Sequence, residues 1–205
     1  RFFIEDMFII GCRKVLECAH TINIQVYNII HDIALETSKP ITSYHLVESS
    51  TGATGISGNA SFRAENCISS LGSATGDRWM FLADSSNDIR DIYISNCECS
   101  HSNGIWINAS DTPSTVWDIL IDGFIADQCP QTGICLYGAV HILNSYSNAP
   151  SYGIRLVKST AVINTCQFLA TASMNGIYIE GGCRAVSISH CTFIDVTRPI
   201  QISDG

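Results

Sequence analysis

A short pattern, Gly-Ile followed by a variable residue and an aliphatic one, recurs through the second half of the chain and constrains its fold. The copies begin at Gly104, Gly133, Gly153 and Gly176, and Pro199 begins a degenerate fifth copy. The steps between these positions are 29, 20, 23 and 23 residues. Two aliphatic residues flank the variable one, which is the period-two pattern of a strand with one buried face. The preceding glycine predicts a turn with positive φ.

A second series of short β-like segments lies between these copies, at residues 92–94, 119–121, 140–142, 160–162 and 186–188. Polar residues that we interpret as corners follow this series, at Asn96, Asn144, Asn164 and His190. Each repeat therefore holds at least two strands separated by turns, with room for a third. Asn at equivalent corners is expected to form amide ladders between stacked repeats.

The two series predict an all-β fold, a single right-handed parallel β-helix with coils of about 20 to 29 residues. Helices are not expected, because no apolar pattern of period 3.6 persists and Gly, Ser, Asn and Thr are dense. One domain is predicted over residues 1–205, with regular coils at 86–205 and less regular ones at 1–85. Loops are expected to project at residues 49–59 and 69–77, which are rich in small polar residues. The chain begins with Arg1 and not Met, which favours a segment of a longer protein.

The charge balance and the hydropathy narrow the range of partners. The net charge is -8, with 11 Lys plus Arg against 19 Asp plus Glu, and this argues against nucleic acid as a partner. Hydrophobic residues make up 46% of the chain, so a large core is expected. No uninterrupted apolar stretch is long enough for a membrane span.

The ten cysteines are interpreted mainly as buried thiols. None of them forms a Cys-x-x-Cys pair or a zinc-binding group with histidine, so no metal and no cofactor is predicted. Several follow a strand at the same place in the repeat: Cys67, Cys97, Cys166 and Cys191. A disulfide is the less favoured alternative. Reduced cysteines in this number predict assembly in a reducing cytoplasm.

The Gly-Ile strands and the corners such as Ile94-Ser95-Asn96-Cys97 resemble the pectate-lyase-like superfamily of right-handed β-helices, most closely over residues 86–205. That superfamily includes polygalacturonases, pectate lyases and bacteriophage tailspikes. The Asp-Asp pair and the Gly-His-Gly of polygalacturonases are missing here, although the segment from Arg155 to Lys158 is similar to their Arg-Ile-Lys. Tailspikes share the free cysteines and the acidic surface. This resemblance implies a homotrimer that binds, and often cleaves, a bacterial surface polysaccharide.

Our first hypothesis is therefore a tailspike-like protein of the virion or extracellular space that binds a bacterial polysaccharide and in one version depolymerises it. A non-catalytic structural or receptor-binding segment of a viral fibre is the alternative. A secreted pectinolytic lyase or hydrolase is the third. The sequence leaves open whether the protein is an enzyme.

The variable residues of the Gly-Ile copies are expected to form one outward column along the surface: Trp106, Cys135, Arg155, Tyr178 and Gln201. Aromatic rings and a guanidinium on a flat sheet suit stacking on sugar rings and pairing with acidic sugars, so Trp106, Arg155 and Tyr178 are candidate substrate-binding residues. A subunit contact and an ordinary surface are the alternatives that the sequence leaves open.

An acidic neighbourhood supplies the candidate catalytic residues. Asp91 and Asp118 each precede a strand of the second series, and a 27-residue coil would stack them about 5 Å apart, as retaining glycoside hydrolysis requires. Glu98 is the third catalytic candidate. Further candidates for substrate contact lie in or near the following loops, namely His101, Asp122 and Asp127. The alternative is that these are hydrated strand-start and turn residues.

Overall fold

The computed structural model describes residues 1–10, 15–19, 23–32, 41–47, 61–70, 78–85, 89–109, 116–170 and 174–204. Over these residues the chain forms strands and no helix. The first ten strands are β1 (Phe2–Ile10), β2 (Leu16–Ala19), β3 (Ile24–Asp32), β4 (Ile41–Val47), β5 (Phe62–Glu65), β6 (Ile68–Ser70), β7 (Arg78–Ser85), β8 (Ile89–Ser95), β9 (Glu98–Ser100) and β10 (Asn103–Ala109). The next ten are β11 (Val116–Asp122), β12 (Ile125–Asp127), β13 (Thr132–Leu143), β14 (Tyr146–Ser147), β15 (Tyr152–Asn164), β16 (Gln167–Leu169), β17 (Asn175–Ile179), β18 (Ala185–Ser189), β19 (Thr192–Ile194) and β20 (Arg198–Ile202).

The strands stack in parallel into three sheets, so the predicted parallel β-helix is confirmed. Sheet A contains β2, β4, β7, β10, the first halves of β13 and β15, β17 and β20. Sheet B contains the first halves of β1 and β3, then β5, β8, β11, the second halves of β13 and β15, and β18. Sheet C contains the second halves of β1 and β3, then β6, β9, β12, β14, β16 and β19. Each coil runs through sheets B, C and A in that order.

Coil length varies more in the first part of the chain than the repeat suggested. Ile24 pairs with Phe62, which lies 38 residues further on, whereas Ile119 pairs with Val140 after 21 residues. Extra residues at a coil's surface cost little loop-closure entropy, so a long coil is compatible with the same stack. Residues 49–59 and 71–77, where projecting loops were expected, lie outside the described residues, while Ser69 and Ser70 belong to β6.

Inward side chains form aliphatic ladders that run through the coils. In sheet B, for example, Ile92, Ile119, Val140 and Ala161 occupy one register position and are all buried. Burial of one such aliphatic side chain stabilises a fold by about 1.5–3 kcal/mol, so a ladder shared by every coil is a large part of the driving force. The core is therefore continuous along the solenoid, with outer faces that remain available for contacts.

The corner between sheets B and C has a left-handed backbone in every coil described. The positive-φ residues there are Asp6, Asn28, Asn66, Asn96, Gly123, Asn144, Thr165 and His190. The predicted amide ladder is present at the start of this column. Asn28 Nδ2 donates to Asp6 Oδ1 at 2.9 Å, and Asn66 Nδ2 donates to Asn28 Oδ1 at 3.2 Å. In the seventh coil the corner is Thr165, and Asn164 is the last residue of β15, so the predicted corner there was one residue early.

The glycines of the repeat have a different role from the one predicted. Gly104, Gly133, Gly153 and Gly176 are not among the positive-φ residues. They are required because the next coil approaches closely. A Cβ on Gly153 would lie 2.5 Å from Phe168 Cδ1 and 2.6 Å from a carbonyl oxygen, and one on Gly176 would lie 2.6 Å from Phe193 Cε1. The glycine column therefore sets the spacing between coils and does not form a turn.

Eight cysteines have side chains that the structure describes; all eight are free thiols, and six of them are buried. Four occupy the position after the left-handed corner, as predicted: Cys67, Cys97, Cys166 and Cys191. The thiols at this corner donate to backbone carbonyls of the same or the preceding coil, so Cys67 contacts the Val26 oxygen at 3.9 Å and Cys97 the Ala64 oxygen at 3.7 Å. Over the described residues no helix is long and apolar enough to cross a bilayer.

Candidate functional site

The predicted outward column lies in register on sheet A. Trp106 pairs with Cys135, Cys135 with Arg155, Arg155 with Tyr178, and Tyr178 with Gln201. Four members are partly exposed, but Cys135 is buried, with 3% of its surface exposed. Its side chain is short and stands between a tryptophan and an arginine, which explains the burial of an outward position.

Arg155 is the centre of this face. Its Nη2 donates to Glu180 Oε1 at 2.6 Å, and its guanidinium carbon lies 5.7 Å from the ring centre of Tyr152. Tyr152 and Tyr178 are themselves in contact, with ring centres 5.0 Å apart. Burial opposes the charge on Arg155, but the hydrogen bond and the charge of Glu180 outweigh it and raise the pKa of the guanidinium. The guanidinium is therefore charged at neutral pH, and it lies beside aromatic rings. Arg155 Nε is buried and donates to no group within the described residues.

A second aromatic contact lies further along the same sheet. The rings of Trp79 and Trp106 meet edge to face with centres 4.9 Å apart. The buried Asn103 lies beside them and pairs with Trp79 in the sheet register. Its Oδ1 accepts a hydrogen bond, 3.0 Å long, from the backbone N–H of Thr132, which belongs to the next coil. The amide thereby fixes adjacent coils below the aromatic residues.

Three residues that contact this face, Trp79, Tyr152 and Glu180, were not among the sequence candidates. Glu180 lies two residues after Tyr178, so extending the alternation past the Gly-Ile copy would have found it. Tyr152 immediately precedes Gly153 but is three residues from Arg155, so alternation alone assigns it to the opposite face. Trp79 belongs to a degenerate copy without glycine, in which Leu82 aligns with Trp106. That copy cannot be recognised until the register of β7 is known.

Cys135 is not a nucleophile in this environment. Burial raises the pKa of its thiol to about 12, an effect that Arg155 opposes and Glu180 reinforces. The thiol is therefore protonated at neutral pH, and thiolate chemistry requires the deprotonated form. We assign it a packing role beneath Arg155.

Asp91 and Asp118 lie at equivalent positions of adjacent coils in sheet B, as the 27-residue step predicted. Ile92 pairs with Ile119, and both aspartates precede these residues, are exposed and have positive φ, at 49° and 57°. Short polar residues such as Asp and Asn adopt this conformation more readily than others. The backbone alone therefore gives a reason for aspartate at both positions, and a catalytic role for them stays a prediction.

The other acidic candidates lie elsewhere on the coil. Glu98 begins β9 in sheet C, and Asp127 ends β12 in the same sheet, where its Oδ1 accepts Asn148 Nδ2 at 3.2 Å. Asp122 ends β11 in sheet B and accepts Asn144 Nδ2 at 2.8 Å. His101 follows β9 in a left-handed conformation, with its backbone N–H donated to the Asp127 carbonyl at 3.3 Å. Asp122 and Asp127 thus bind amides of the following coil.

The structure places the predicted residues on separate faces. Trp106, Arg155 and Tyr178 lie on sheet A, whereas Asp91 and Asp118 lie on sheet B and Glu98 on sheet C. Asp91 is four residues before the end of β8, or about 13 Å along the strand from the corner that leads to Glu98. The described residues include no group of His, Cys, Asp and Glu that could hold a metal ion.

The arrangement on sheet A suits recognition of a ligand that has both apolar faces and hydrogen-bonding edges. The partly exposed rings of Tyr152, Tyr178 and Trp106 offer apolar surface, whereas Trp79 is buried. The Arg155–Glu180 pair offers a donor and an acceptor beside the two tyrosines. Charge-assisted hydrogen bonds from such a pair are strong and directional. These are the properties of a binding surface with a rigid backbone beneath it.

The stacked sheets, the left-handed corners and the close glycine contacts define a β-solenoid class of protein. The family described as a right-handed beta helix region matches residues 55–205, which is most of the chain, and the chain belongs to this family. The predicted right-handed parallel β-helix is thereby confirmed. No curated protein and no solved structure matches the chain.

Proposed function

We propose that this chain is the β-helix of a bacteriophage tailspike-like protein that binds a bacterial surface polysaccharide on the outer face of sheet A. The observation that carries the proposal is the Arg155–Glu180 ion pair set beside Tyr152 and Tyr178. Pyranose rings present an apolar C–H face and a hydroxyl edge, and this face presents aromatic rings and a charged pair to match them.

Binding is tested by electrophoresis of the protein through gels that contain purified O-antigen or capsular polysaccharides, with polygalacturonate included for the pectinolytic alternative. We expect at least one bacterial polysaccharide to retard the wild-type chain and the variant Y152A/Y178A to lose about tenfold in apparent affinity, equivalent to ~1.4 kcal/mol. Thr192→Ala, an exposed change on sheet C, is the matched control. Retardation by none of the bacterial polysaccharides, or full retardation of Y152A/Y178A, would contradict the proposal.

Depolymerisation is the further part of the same proposal. Cleavage is favoured by the equivalent positions of Asp91 and Asp118 on adjacent parallel strands. Such strands lie about 4.8 Å apart. This spacing is close to the ~5–5.5 Å between the two carboxylates of retaining glycosidases. Glu98 lies on another sheet and would not assist this pair. Release of reducing ends by the wild type, but not by D91N/D118N, would support cleavage. Binding without release would leave a receptor-binding protein.

The proposal extends to the oligomeric state and the location of the protein. A homotrimer, or a structural segment of a viral fibre, is favoured by an exposed column on sheet C in which Phe8, Ile30 and Ile68 are successive apolar residues. Glu98 follows Ile68 in this column and precedes Ile125. A virion or extracellular location after assembly in a reducing cytoplasm is favoured by the free thiols. Analytical ultracentrifugation measures the oligomeric state directly and so tests the homotrimer.

A further inference from the structure

The outer face of sheet B has its own cluster of aromatic and charged side chains, on a different sheet from Arg155. One register column runs through β1, β3, β5 and β8, and it contains Phe3, Gln25, Arg63 and Tyr93. A second column beside it aligns Tyr27 with Glu65. We call these six residues the Arg63 surface.

Arg63 lies over an aromatic ring. Its guanidinium carbon lies 4.6 Å from the ring centre of Tyr93, and the guanidinium also forms an ion pair and a hydrogen bond with Glu65. A cation over an aromatic face is an attractive arrangement that costs side-chain entropy to form. The carboxylate of Glu65 also holds the guanidinium, so its contact with the Tyr93 ring exists before any ligand arrives.

The other end of the Arg63 surface repeats this combination of ring and polar group. Phe3 and Tyr27 are in contact, with ring centres 5.1 Å apart. Gln25 Oε1 accepts a hydrogen bond from Arg1 Nη2 at 2.8 Å and from the Tyr27 hydroxyl at 3.5 Å. Each aromatic ring therefore has a hydrogen-bonding side chain next to it, over four successive coils.

This surface is accessible and differs in character from a protein contact. Phe3 is 55% exposed, and the Arg63 side chain is 46% exposed. The centres of protein interfaces are enriched in aromatic residues and Arg but depleted in Glu and Asp. The feature that distinguishes this surface from a protein contact is therefore Glu65, which pairs with Arg63. The apolar column on sheet C, with Phe8, Ile30 and Ile68, has the composition expected of a protein contact instead.

We infer that the Arg63 surface is a second polysaccharide-contact site, which binds another stretch of the same glycan that the proposed function assigns to sheet A. This inference takes its ligand class from the proposed function, but it uses different residues on a different face. The coils are spaced about 4.8 Å apart, close to the length of one sugar unit. A glycan that runs along the solenoid axis therefore meets a ring or a polar group at each coil.

The experiment measures retardation of four proteins in gels that contain the purified O-antigen and capsular polysaccharides. They are the wild type, R63A/Y93A on sheet B, Y152A/Y178A on sheet A, and the combination of all four substitutions. His141→Ala is the matched control, because it is exposed and lies further along the same column as Tyr93. Circular dichroism confirms that each variant is folded. We expect R63A/Y93A to lose about tenfold in apparent affinity, the combination to lose more than either pair, and His141→Ala to bind as the wild type does.

The outcomes separate this inference from the proposed function. Normal binding by R63A/Y93A with loss in Y152A/Y178A overturns the second site and leaves the proposed site on sheet A intact. Loss in R63A/Y93A with normal binding by Y152A/Y178A supports the Arg63 surface and overturns the site on sheet A. Normal binding by both variants overturns both sites, and failure of the wild type to bind any of the polysaccharides overturns both proposals.

Discussion

Residues with a left-handed backbone recur at the junctions of the coil and account for many of its polar side chains. Asp91, Asp118 and His101 all have positive φ, and Asp, Asn and His are the non-glycine residues most enriched in that region. The sequence alone gives an acidic neighbourhood but not the backbone reason for it. Asp→Asn is therefore the informative change at Asp91 and Asp118, because it removes the charge and keeps a residue that tolerates this conformation.

The Cys135 thiol makes stability depend on pH. Burial raises its pKa to about 12 in the folded protein, whereas an unfolded cysteine has a pKa of about 8.5. The folded state therefore holds the proton more tightly, so the stabilisation is complete below the unfolded pKa and is lost as pH rises toward 12. Between pH 8 and 10 we expect the wild type to lose roughly 2 kcal/mol more unfolding free energy than Cys135→Ala.

Urea denaturation at closely spaced pH values measures this difference. Thr160→Ala, which removes no titrating group from an exposed position, should follow the wild type. Parallel pH profiles for the wild type and Cys135→Ala would show that the thiol has an ordinary pKa.

Strands, corners and spacing glycines were predictable to different degrees. The period-two pattern placed the strands that begin near Gly104, Gly133, Gly153 and Gly176 in the right register, because one buried face per strand leaves a strong signal. The role assigned to the glycines was wrong, since close approach of a neighbouring coil involves residues about 20 positions away. The local sequence predicts backbone conformation, but it carries little information about contacts between residues that are far apart in the chain.

For the candidate site, the sequence predicted which residues align within one series of equivalent strands, but not how residues from different series lie relative to each other. Trp106, Arg155 and Tyr178 share a series and were correctly aligned, whereas Asp91 and Glu98 were grouped because they are near in sequence. A corner separates the last two, and it sends their side chains to different sheets. Partners such as Glu180 and Tyr152 flank the repeat motif, so the motif itself did not include them.

The glycine column is open to a direct test at the element scale. Gly153→Ala and Gly176→Ala each place a methyl group against a phenylalanine ring and a carbonyl of the next coil. Overpacking of this kind costs about 1–3 kcal/mol, and we expect that loss in the free energy of unfolding measured by urea titration. Thr160→Ala again provides an exposed strand control. Unchanged stability in both glycine variants would contradict the spacing role.

Over the whole molecule, each described coil pairs with its neighbours along the solenoid. Inward residues such as Ile121, Ile142 and Ile163 lie between two neighbouring coils and are fully buried. A solenoid of this kind draws its stability from the contacts between adjacent coils.

The close contact at the glycine column has a consequence for the evolution of the gene that encodes such a solenoid. The described coils share the left-handed corner between sheets B and C. Those that contain Gly104, Gly133, Gly153 and Gly176 also share a close backbone contact with the next coil, so one of these coils is exchangeable for another. Duplication or deletion of a coding segment for one full coil would lengthen or shorten the outer faces by one strand spacing and leave the remaining junctions intact. Recombination between related genes at these corners would then vary the exposed surfaces while it conserves the scaffold.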